Sequence, residues 1–365
     1  MNLLALRGHN AALVLDLLRT AGGDGISRLE IAERTGLTPQ AVSKITARLR
    51  REGLAAEAGR RASTGGKPRT LLRLVPEAGH AVGLHLDRDE LTAVLADLTG
   101  RVVAERRAPL DLGAGADAVV DAAVEVVREL VRPSGDPPDP GDPGDPGRLL
   151  GVGIALPGPL DHADGVLHRV TGFPAWDGFP LRDAFAGRLG LPVVVDKDTN
   201  AAALGLALGG VADSFAYLHL GTGLGAGLVL SGGLYRGART GAGEFGHQVI
   251  QLDGPRCGCG DRGCIEALCL AAVARGDTAE AARALGVGAA NLVGLLDIDR
   301  VLLGGRAVFA AEESFVRGVG EVVTERVRRG GGDREVLVAV ASGGGRGVAE
   351  GAAQLVLAPV FGRAG

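Results

Sequence analysis

The chain has 365 residues, a formal net charge of −4, and 46% hydrophobic but only 3% aromatic residues. This length predicts two or three domains, whose cores must be filled by aliphatic side chains and alanine. No run of 18 or more apolar residues is present, and residues 1–10 lack the apolar stretch of a signal peptide, so we expect a cytoplasmic protein without a membrane partner.

The charge is distributed unevenly along the chain. Residues 1–75 carry 13 Lys or Arg against 6 Asp or Glu, whereas the rest of the chain carries 26 against 37. A basic N-terminal segment joined to an acidic body predicts a polyanionic partner for that segment.

The basic segment has the element pattern of a winged helix-turn-helix. Apolar spacing predicts helices over 10–21, 27–34 and 38–52, followed by a pair of strands over 54–57 and 70–74. A basic, glycine-containing loop joins the two strands and would form the wing.

The starts of the second and third helices are marked by capping residues. Ser27 and Glu30 have the spacing of a capping box, and Thr38 caps the third helix with Pro39 at its first position. In a winged helix-turn-helix the N-terminal residues of this third helix lie nearest the base edges of the major groove.

The candidate DNA contacts therefore lie on the third helix and in the basic hairpin. Candidates for base contact are Thr38, Gln40, Ser43 and Lys44, and candidates for contact with phosphates or a neighbouring groove are Arg48, Arg60, Arg61, Lys67 and Arg69. The alternative interpretation is a small helical packing domain with a solvated basic face.

From about residue 80 the pattern changes to alternating strands and helices, which predicts an α/β fold. Strands are predicted over 80–86, 91–97, 102–109 and 149–155, and a helix over 117–131. The low-complexity segment 133–147, rich in Pro, Gly and Asp, predicts a flexible surface loop within the first lobe.

A compact group of cysteines predicts a structural metal site. His247, Cys257, Cys259 and Cys264 supply one imidazole and three thiolates, which fill a tetrahedral Zn²⁺ shell and leave no open position for catalysis. Cys269 lies five residues further on in a predicted helix and is interpreted as a buried thiol. The alternative is a set of free or buried cysteines without metal.

Two further motifs bear on ligand binding. The segment 220–227 (LGTGLGAG) follows a predicted strand and is either a phosphate-binding turn or an ordinary glycine-rich hairpin. Asp198 ends an apolar strand, where it could accept a proton from a sugar hydroxyl, hydrogen-bond to that hydroxyl, or cap a helix. The metal would also bring Glu244 and Glu266 close together, and paired carboxylates suit a polyhydroxyl ligand.

These motifs together resemble the ROK family of repressors and sugar kinases. The most specific pieces are GEFGH at 243–247 and CGCGDRGCIE at 257–266. The resemblance implies a winged helix-turn-helix over 1–75 and a two-lobed, actin- and hexokinase-like (ribonuclease H-like) sensor domain. Its lobes would span 76–195 and 196–365, with the C-terminal helix returning to the first lobe.

The resemblance also implies site residues. It implies Zn²⁺ bound by His247, Cys257, Cys259 and Cys264, and sugar contacts by Asp198, Glu244, His247 and Glu266. Segments 156–160 and 176–181 would then belong to the sugar side, and 302–305 would correspond to a turn near the nucleotide of family kinases.

Three departures from the family pattern matter: the first argues against ATP binding, and the other two put sugar binding in question. Where kinases have an Asp-x-Gly-Gly-Thr turn for ATP phosphates, this chain has the segment 87–91, in which Asp89 and Glu90 place negative charge. Gly172 stands where a sugar-contacting Asn is common, and the segment 269–281 is short for the family.

The leading hypothesis is thus a non-enzymatic transcription regulator, a repressor of carbohydrate-related genes. It would bind a double-stranded DNA operator as a homodimer or homotetramer and respond to a sugar effector. Two alternatives stay open: an ATP-dependent sugar kinase with a DNA-binding head, and a constitutive DNA-binding regulator with a decayed sensor.

Overall fold

The computed structural model describes residues 8–61, 68–132, 149–168, 170, 172–331 and 333–363. Within them lie an N-terminal head and two α/β lobes that border a common cleft. The predicted loop over 133–147 and the candidate DNA contact Lys67 lie outside the described residues.

The head is a winged helix-turn-helix, as the sequence predicts. Its elements are α1 (His9–Ala21), β1 (Ile26–Ser27), α2 (Arg28–Thr35), α3 (Pro39–Arg51), β2 (Ala55–Arg61) and β3 (Arg69–Leu74). The strands form an antiparallel sheet in the order β1-β3-β2.

The predicted helix starts of the head are confirmed by hydrogen bonds. Ser27 Oγ accepts from the Glu30 N–H, and the Glu30 carboxylate accepts from the Ser27 N–H, which completes the capping box. Thr38 Oγ1 accepts from a backbone N–H in the first turn of α3. That helix ends at Arg51, one residue before the predicted end, because Glu52 forms its C-cap.

The first lobe is an α/β unit around one mixed sheet. Its elements are β4 (His80–Leu86), β5 (Glu90–Asp97), β6 (Val102–Pro109), α4 (Ala116–Leu130), β7 (Leu149–Leu156), β8 (Leu160–Asp161), β9 (Val166–Leu167), α5 (Leu181–Leu189) and β10 (Val193–Lys197). The sheet order is β10-β7-β4-β5-β6, with β10, β7 and β4 parallel. Helix α4 covers one face through its valine-rich buried stripe.

The second lobe repeats the architecture of a five-stranded mixed sheet flanked by helices. Its elements are α6 (Asp198–Leu208), β11 (Phe215–Leu220), β12 (Leu224–Leu230), β13 (Gly233–Leu234), α7 (Ile265–Ala274), α8 (Thr278–Leu296), β14 (Arg300–Gly304), α9 (Arg306–Phe309), α10 (Glu312–Arg329), β15 (Leu337–Val340) and α11 (Gly347–Leu357). The sheet order is β13-β12-β11-β14-β15.

Helix α11 packs against both lobes. On the first-lobe side, a Cβ at Gly83 of β4 would lie 2.0 Å from the Ala349 carbonyl oxygen, so only glycine permits this approach. On the other side, a Cβ at Gly351 of α11 would lie 1.9 Å from the Ala201 carbonyl oxygen of α6. The last helix is therefore clamped between the first-lobe sheet and α6.

The head shares a hydrophobic core with the end of the chain. Leu15 and Leu18 of α1 belong to the same buried cluster as Leu357 and Phe361. An ion pair joins the two segments at the surface, because Arg363 donates to Asp16 at 2.9 Å. The head is thus attached to α11 by apolar contacts and by charge.

Among the described residues, α8 is long and apolar enough to cross a membrane by composition alone. Its buried residues, including Ala281, Leu285 and Ala289, belong to the core cluster of the second lobe. It packs there against α7 and α10, so its apolar composition has a structural explanation within the fold.

Candidate effector cleft and DNA-binding surface

The four candidate sugar contacts come together in one cleft between the lobes. Asp198, Glu244, His247 and Glu266 all line it. They come from three places: Asp198 from the start of α6, Glu244 and His247 from the loop after β13, and Glu266 from the start of α7. The cleft also contains Pro157 and Gly158 of the predicted sugar-side segment.

A buried lysine that sequence reasoning missed lies among these acids. Lys197 has only 3% of its side chain exposed, and its Nζ donates to Glu244 Oε1 at 3.2 Å and to the Ala242 carbonyl. The close packing of Gly158 against the lysine side chain leaves it little room to move. Lys197 therefore holds Glu244 in place. The position of this lysine between two acids, Asp196 and Asp198, is the feature of the sequence that could have indicated its role.

The start of α6 is anchored by a fully buried carboxylate. Asp196 accepts hydrogen bonds from Arg236 Nε at 2.8 Å, from Asn200 Nδ2 at 2.8 Å and from the Lys197 N–H at 2.8 Å. A buried carboxylate is stable only with such partners. This network holds the helix start at which Asp198 enters the cleft.

Asp198 is the first residue of α6 and not its cap, since the N-cap position is taken by Lys197. The Asp198 Oδ1 atom accepts from the Thr199 N–H at 2.6 Å. A carboxylate in the first turn of a helix is favoured by the helix dipole. Its other oxygen is available to a ligand hydroxyl in the cleft.

The four predicted metal ligands lie close together in the structure. One donor atom from each of His247, Cys257, Cys259 and Cys264 lies within 4.8 Å of the others. The two sulfurs of Cys259 and Cys264 are 3.7 Å apart, and Cys257 Sγ is 3.7 Å from His247 Nδ1. Sulfurs bound to one tetrahedral Zn²⁺ at about 2.3 Å are separated by about 3.8 Å. The four side chains therefore fit one tetrahedral metal ion.

Cys269 lies apart from the metal group. It is fully buried in α7, and its thiol donates to the Ala281 carbonyl at 3.5 Å. Burial raises the pKa of this thiol to about 12, so it stays protonated. This matches the interpretation of Cys269 as a buried thiol.

The metal-binding segment also positions a cleft carboxylate. Cys264 is the N-cap of α7, and Glu266 follows in the first helical turn. The Glu266 Oε2 atom accepts from the Leu224 N–H of β12 at 2.9 Å, and its other oxygen lies 3.8 Å from Cys257 Sγ. Glu266 thus connects the metal group to the glycine-rich turn.

The glycine-rich segment 220–227 is the hairpin between β11 and β12, whose strands are antiparallel up to the pair Leu220 and Leu224. A Cβ at Gly227 would lie 2.1 Å from the Thr199 carbonyl oxygen. That glycine is therefore required for packing against α6, whereas Thr222 and Gly223 at the tip line the cleft.

The turn after β4 is closed by an arginine from the other lobe. Arg306 donates to Asp87 Oδ2 at 2.7 Å and to Asp89 Oδ2 at 2.8 Å, and Thr222 Oγ1 donates to Asp87 at 2.8 Å. Burial alone would raise the pKa of Asp87, but the hydrogen bond from Arg306, the charge interaction with His85 and the hydrogen bonds from the Arg88 N–H and Thr222 lower it to about 2. The acids in this turn are therefore ion-paired across the cleft.

Sequence reasoning missed Arg306, which directly follows the noted segment 302–305. The predicted negative charge of Asp89 is present but paired with this arginine, which Asp87 shares. Glu90 begins β5 at the edge of the turn, about half exposed, and Leu91 is buried in the first-lobe core. The turn thus presents an internal ion pair in place of a glycine-lined surface.

The other departures noted from the sequence also have structural counterparts. Gly172 has a φ of 89°, which favours glycine over asparagine. Trp176 is buried and donates through Nε1 to the Leu112 carbonyl at 2.9 Å, so it supports the wall of the first lobe from inside. Only residues 275–277 connect α7 to α8.

The DNA-binding candidates on α3 share an exposed face. Gln40, Ser43 and Lys44 are exposed, while Val42 and Leu49 on the opposite side are buried in the head. Helical spacing of three and four residues places two further exposed residues on the same face, namely Ala47 and Arg51. Arg51 was missed because it lies near the end of the predicted helix. Thr38 is exposed and caps this helix.

The remaining basic candidates differ in their partners. Arg60 and Arg69 are exposed on the paired strands of the wing. Arg61 is held by Glu30 at 2.9 Å, and Arg48 lies 3.9 Å from Glu52, so both are partly engaged within the head. Of this set, Arg60 and Arg69 are the freest for phosphate.

Comparison with known proteins agrees with this architecture. The model of the ROK family matches residues 82–277, and a model of winged helix-turn-helix DNA-binding domains matches residues 14–55. The chain is similar to the xylose repressor of Caldicellulosiruptor bescii, with 28% identity over 82% of this chain and 84% of that protein. It is also 30% identical to the dual regulator NagC of Escherichia coli, over 71% of this chain and 62% of that one.

Solved structures show the same fold. A ROK hexokinase from Thermus thermophilus superposes with a TM-score of 0.60 and 29% identity, covering 75% of this chain and 96% of the enzyme. A ROK family transcriptional regulator, homologous to the Escherichia coli MLC protein, has a TM-score of 0.74 at 21% identity and covers 97% of both chains. The chain belongs to the ROK family and carries an N-terminal winged helix-turn-helix.

Proposed function

We propose that this chain is a DNA-binding transcription regulator, a repressor of carbohydrate-related genes, controlled by a sugar in a non-catalytic kinase-like domain. In this proposal residues 1–75 bind DNA, and the lobes 76–195 and 196–365 form the sensor. The names of the similar proteins, xylose repressor and NagC regulator, support a regulator of this class.

The observation that carries the proposal is the position of α11. This helix packs on α6, which begins at the cleft residue Asp198, and on β4, which leads into the turn at Asp87. Its C-terminal end shares a core with α1 of the head. A change in the angle between the lobes therefore moves the surface on which the head sits.

A sugar acts in this scheme only if it binds one arrangement of the lobes better than the other. Hydroxyl groups would donate to Asp198, Glu244 and Glu266, and the His247 ring would contact the sugar through the nitrogen that faces away from the metal. The carboxylates belong to different elements of the two-lobe junction, so a bound sugar ties those elements together.

A structural Zn²⁺ is part of the proposal. His247, Cys257, Cys259 and Cys264 would hold it, and four protein ligands leave no position for a reacting water. The ion would fix the loop that carries His247 and the start of α7 that carries Glu266. Its role is to shape the cleft wall.

We propose no phosphoryl transfer. Arg306 ties Asp87 and Asp89 into an ion pair beside the glycine-rich hairpin, so this turn lacks the glycine-lined backbone that holds nucleotide phosphates in family kinases. Asp198 then serves as a hydrogen-bond acceptor for the sugar. The kinase alternative predicts ATP-dependent phosphorylation that Asp198→Asn abolishes.

Operator recognition would involve a homodimer or a homotetramer, since two heads are needed to read two half-sites. Thr38, Gln40, Ser43 and Lys44 would contact bases, and Arg48, Arg60, Arg61, Lys67 and Arg69 would contact phosphates or a neighbouring groove. Such a protein works in the cytoplasm, where its DNA is.

The test is fluorescence anisotropy of the full-length, metal-loaded protein on DNA from upstream of its own gene. Xylose, glucose, N-acetylglucosamine and their phosphates are added in turn. We expect specific binding that at least one sugar changes tenfold or more. Lys44→Ala should weaken DNA binding with and without sugar, whereas Asp198→Asn should keep the DNA affinity and lose the response. Specific binding that no sugar changes would favour the constitutive regulator.

A further inference from the structure

A cationic side chain faces the cleft without an acid partner. Arg88 lies in the turn between β4 and β5 and lines the cleft beside Thr222 and Gly223. Its guanidinium lies 5.5 Å from the ring centroid of Phe173 and makes no hydrogen bond or ion pair with another described residue, although the Arg88 backbone N–H donates to Asp87. Its Nε is buried without an acceptor among the described residues, and a buried N–H left in this way is destabilising.

The acids on either side of Arg88 already have hydrogen-bond partners, and neither is paired with the Arg88 side chain. Asp87 and Asp89 share the guanidinium of Arg306, and Asp87 also accepts from Thr222. Arg88 is therefore the cation of this turn whose side chain is available to a ligand. A ligand group that satisfies its donors need not compete with an existing salt bridge.

The space next to Arg88 is kept open by a glycine. A Cβ at Gly223 would lie 3.9 Å from Arg88 Nη2 and 3.1 Å from Glu266 Oε2, so the guanidinium and the carboxylate both face this position. Glu266 is held in place by the Leu224 N–H. A ligand in this gap meets an acceptor for its hydroxyls on one side and a charged, planar donor on the other.

We infer that the effector is an anionic carbohydrate, whose negative group binds the Arg88 guanidinium while its hydroxyls bind Asp198 and Glu266. The inference rests on the proposed function, because it assigns the ligand class of the proposed effector site. Phosphate and carboxylate both accept paired hydrogen bonds from a guanidinium, and such charge-assisted bonds are stronger than those to neutral groups. A phosphorylated sugar and a sugar acid therefore share the required chemistry.

The test uses isothermal titration calorimetry on the full-length, metal-loaded protein at constant ionic strength. Glucose is compared with glucose 6-phosphate and with glucuronate, and N-acetylglucosamine with its 6-phosphate. We expect at least one anionic sugar to bind ten or more times tighter than its neutral parent, and the phosphate and uronate arms identify the anion. Arg88→Gln should abolish the preference, and Arg88→Lys should keep part of it.

The matched control is Arg106→Gln, which removes one positive charge from the first lobe at an exposed ion pair with Glu129. It should leave the preference unchanged. The inference is overturned if no anionic sugar binds tighter than its neutral parent. It is also overturned if Arg88→Gln weakens both classes equally, since the side chain would then only pack on Phe173.

The same samples are also assayed for DNA binding, so that failure of the anion inference can be distinguished from failure of the proposed function. Sugar-responsive DNA binding without an anion preference removes the inference and keeps the proposed function. Absence of specific DNA binding, with the anion preference intact, removes the regulator and leaves an anionic-sugar site.

Discussion

The head and the effector cleft are specified by the sequence in different ways. In the head, decisive partners are neighbours in the chain, as in the capping box of Ser27 and Glu30. In the cleft, Arg306 reaches Asp89 over 217 positions and Lys197 reaches Glu244 over 47. Local signals thus fix the helix starts of the DNA-binding head, whereas the sensor cleft depends on ion pairs between distant elements. Charged contacts between lobes are also the ones that a polar ligand can rearrange.

The proposed metal ligands, His247, Cys257, Cys259 and Cys264, are the residues of the cleft region that lie close together in the sequence. Loss of the metal is expected to have the largest effect on stability. Cys259→Ser removes one of four ligands, so the metal content should fall from about one ion per chain to well below one. The folding energy supplied by a structural ion is lost with it. We expect a fall in Tm of roughly 5–10 °C or more for the sensor. Elemental analysis and thermal unfolding measure both effects.

Cys269→Ala is the matched control for the metal prediction. It changes a nearby buried thiol that lies outside the ligand group, so it should keep the metal. A Cys259→Ser protein with normal Tm would contradict the structural role of the ion. In that case the loop of His247 and the start of α7 would keep their structure without a metal ion, as the head does.

Arg306→Ala tests the long-range part of the cleft. It leaves Asp87, which is 14% exposed, without its cation, and the free energy of unfolding should fall by about 2 kcal/mol at pH 7. The folded-state pKa of Asp87 is about 2, below the ordinary value of 3.8, so this stability is present above about pH 4. The difference between wild type and variant should therefore narrow as the pH falls from 4 towards 2.

Urea unfolding at several pH values measures this difference. Arg283→Ala is the control, since it breaks an exposed ion pair within α8 and should cost about 0.5 kcal/mol or less. An Arg306→Ala protein as stable as wild type at pH 7 would mean that the inter-lobe pair contributes nothing to folding.

The contrast between head and cleft also explains what the sequence could predict. Caps, glycine stops and apolar spacing act over a few residues, and from them the three helices of the head are predicted to within one residue, whereas β2 extends four residues beyond its predicted end and the short β1 is not predicted. The ligand group of the metal was readable for the same reason, because its members lie between His247 and Cys264. Family motifs indicated the four candidate sugar contacts, three acids and His247, and the structure brings them together.

Contacts between elements that are distant in the sequence could not be predicted, because the topology of the fold creates them. Arg306 was invisible as a partner because β14 and β4 belong to different sheets, and nothing in its own neighbourhood indicates an acid on the other lobe. Lys197 could be seen but not interpreted, since its burial depends on Gly158 and on the loop at Ala242. Arg88 was passed over because an unpaired cation becomes evident only when its neighbours are known to be paired.

Two arginines of the head provide a smaller test of how its charges are used. Arg51 is exposed on the face of α3 that carries Gln40 and Lys44, whereas Arg61 is paired with Glu30. Arg51→Ala should reduce the salt slope of DNA binding by about one unit and weaken binding several-fold. Arg61→Ala should have less effect, because its charge is partly neutralised in the free protein. Anisotropy titrations at several salt concentrations compare the two, and a larger effect of Arg61 would reverse this assignment.

The smallest expected change in stability is at the junction between head and sensor. Burial alone would raise the pKa of Asp16, but hydrogen bonds from Arg363 and Arg19 lower it below its ordinary value. Asp16→Asn weakens the ion pair with Arg363, and since this pair is partly exposed the loss of stability should stay below about 1 kcal/mol. Chemical denaturation measures that loss.

The informative quantity for Asp16→Asn is the coupling between effector and DNA. Leu357 and Phe361 still pack on α1 in the variant, so the head stays attached, but the charged contact that resists sliding between α1 and the chain end is weakened. We expect the factor by which the effector changes the DNA Kd to shrink several-fold, with little change in the Kd of the effector-free protein. Asp24→Asn, an exposed acid of the head without a partner among the described residues, is the control. Full coupling in Asp16→Asn would mean that the apolar contacts of α11 alone transmit the signal to the head.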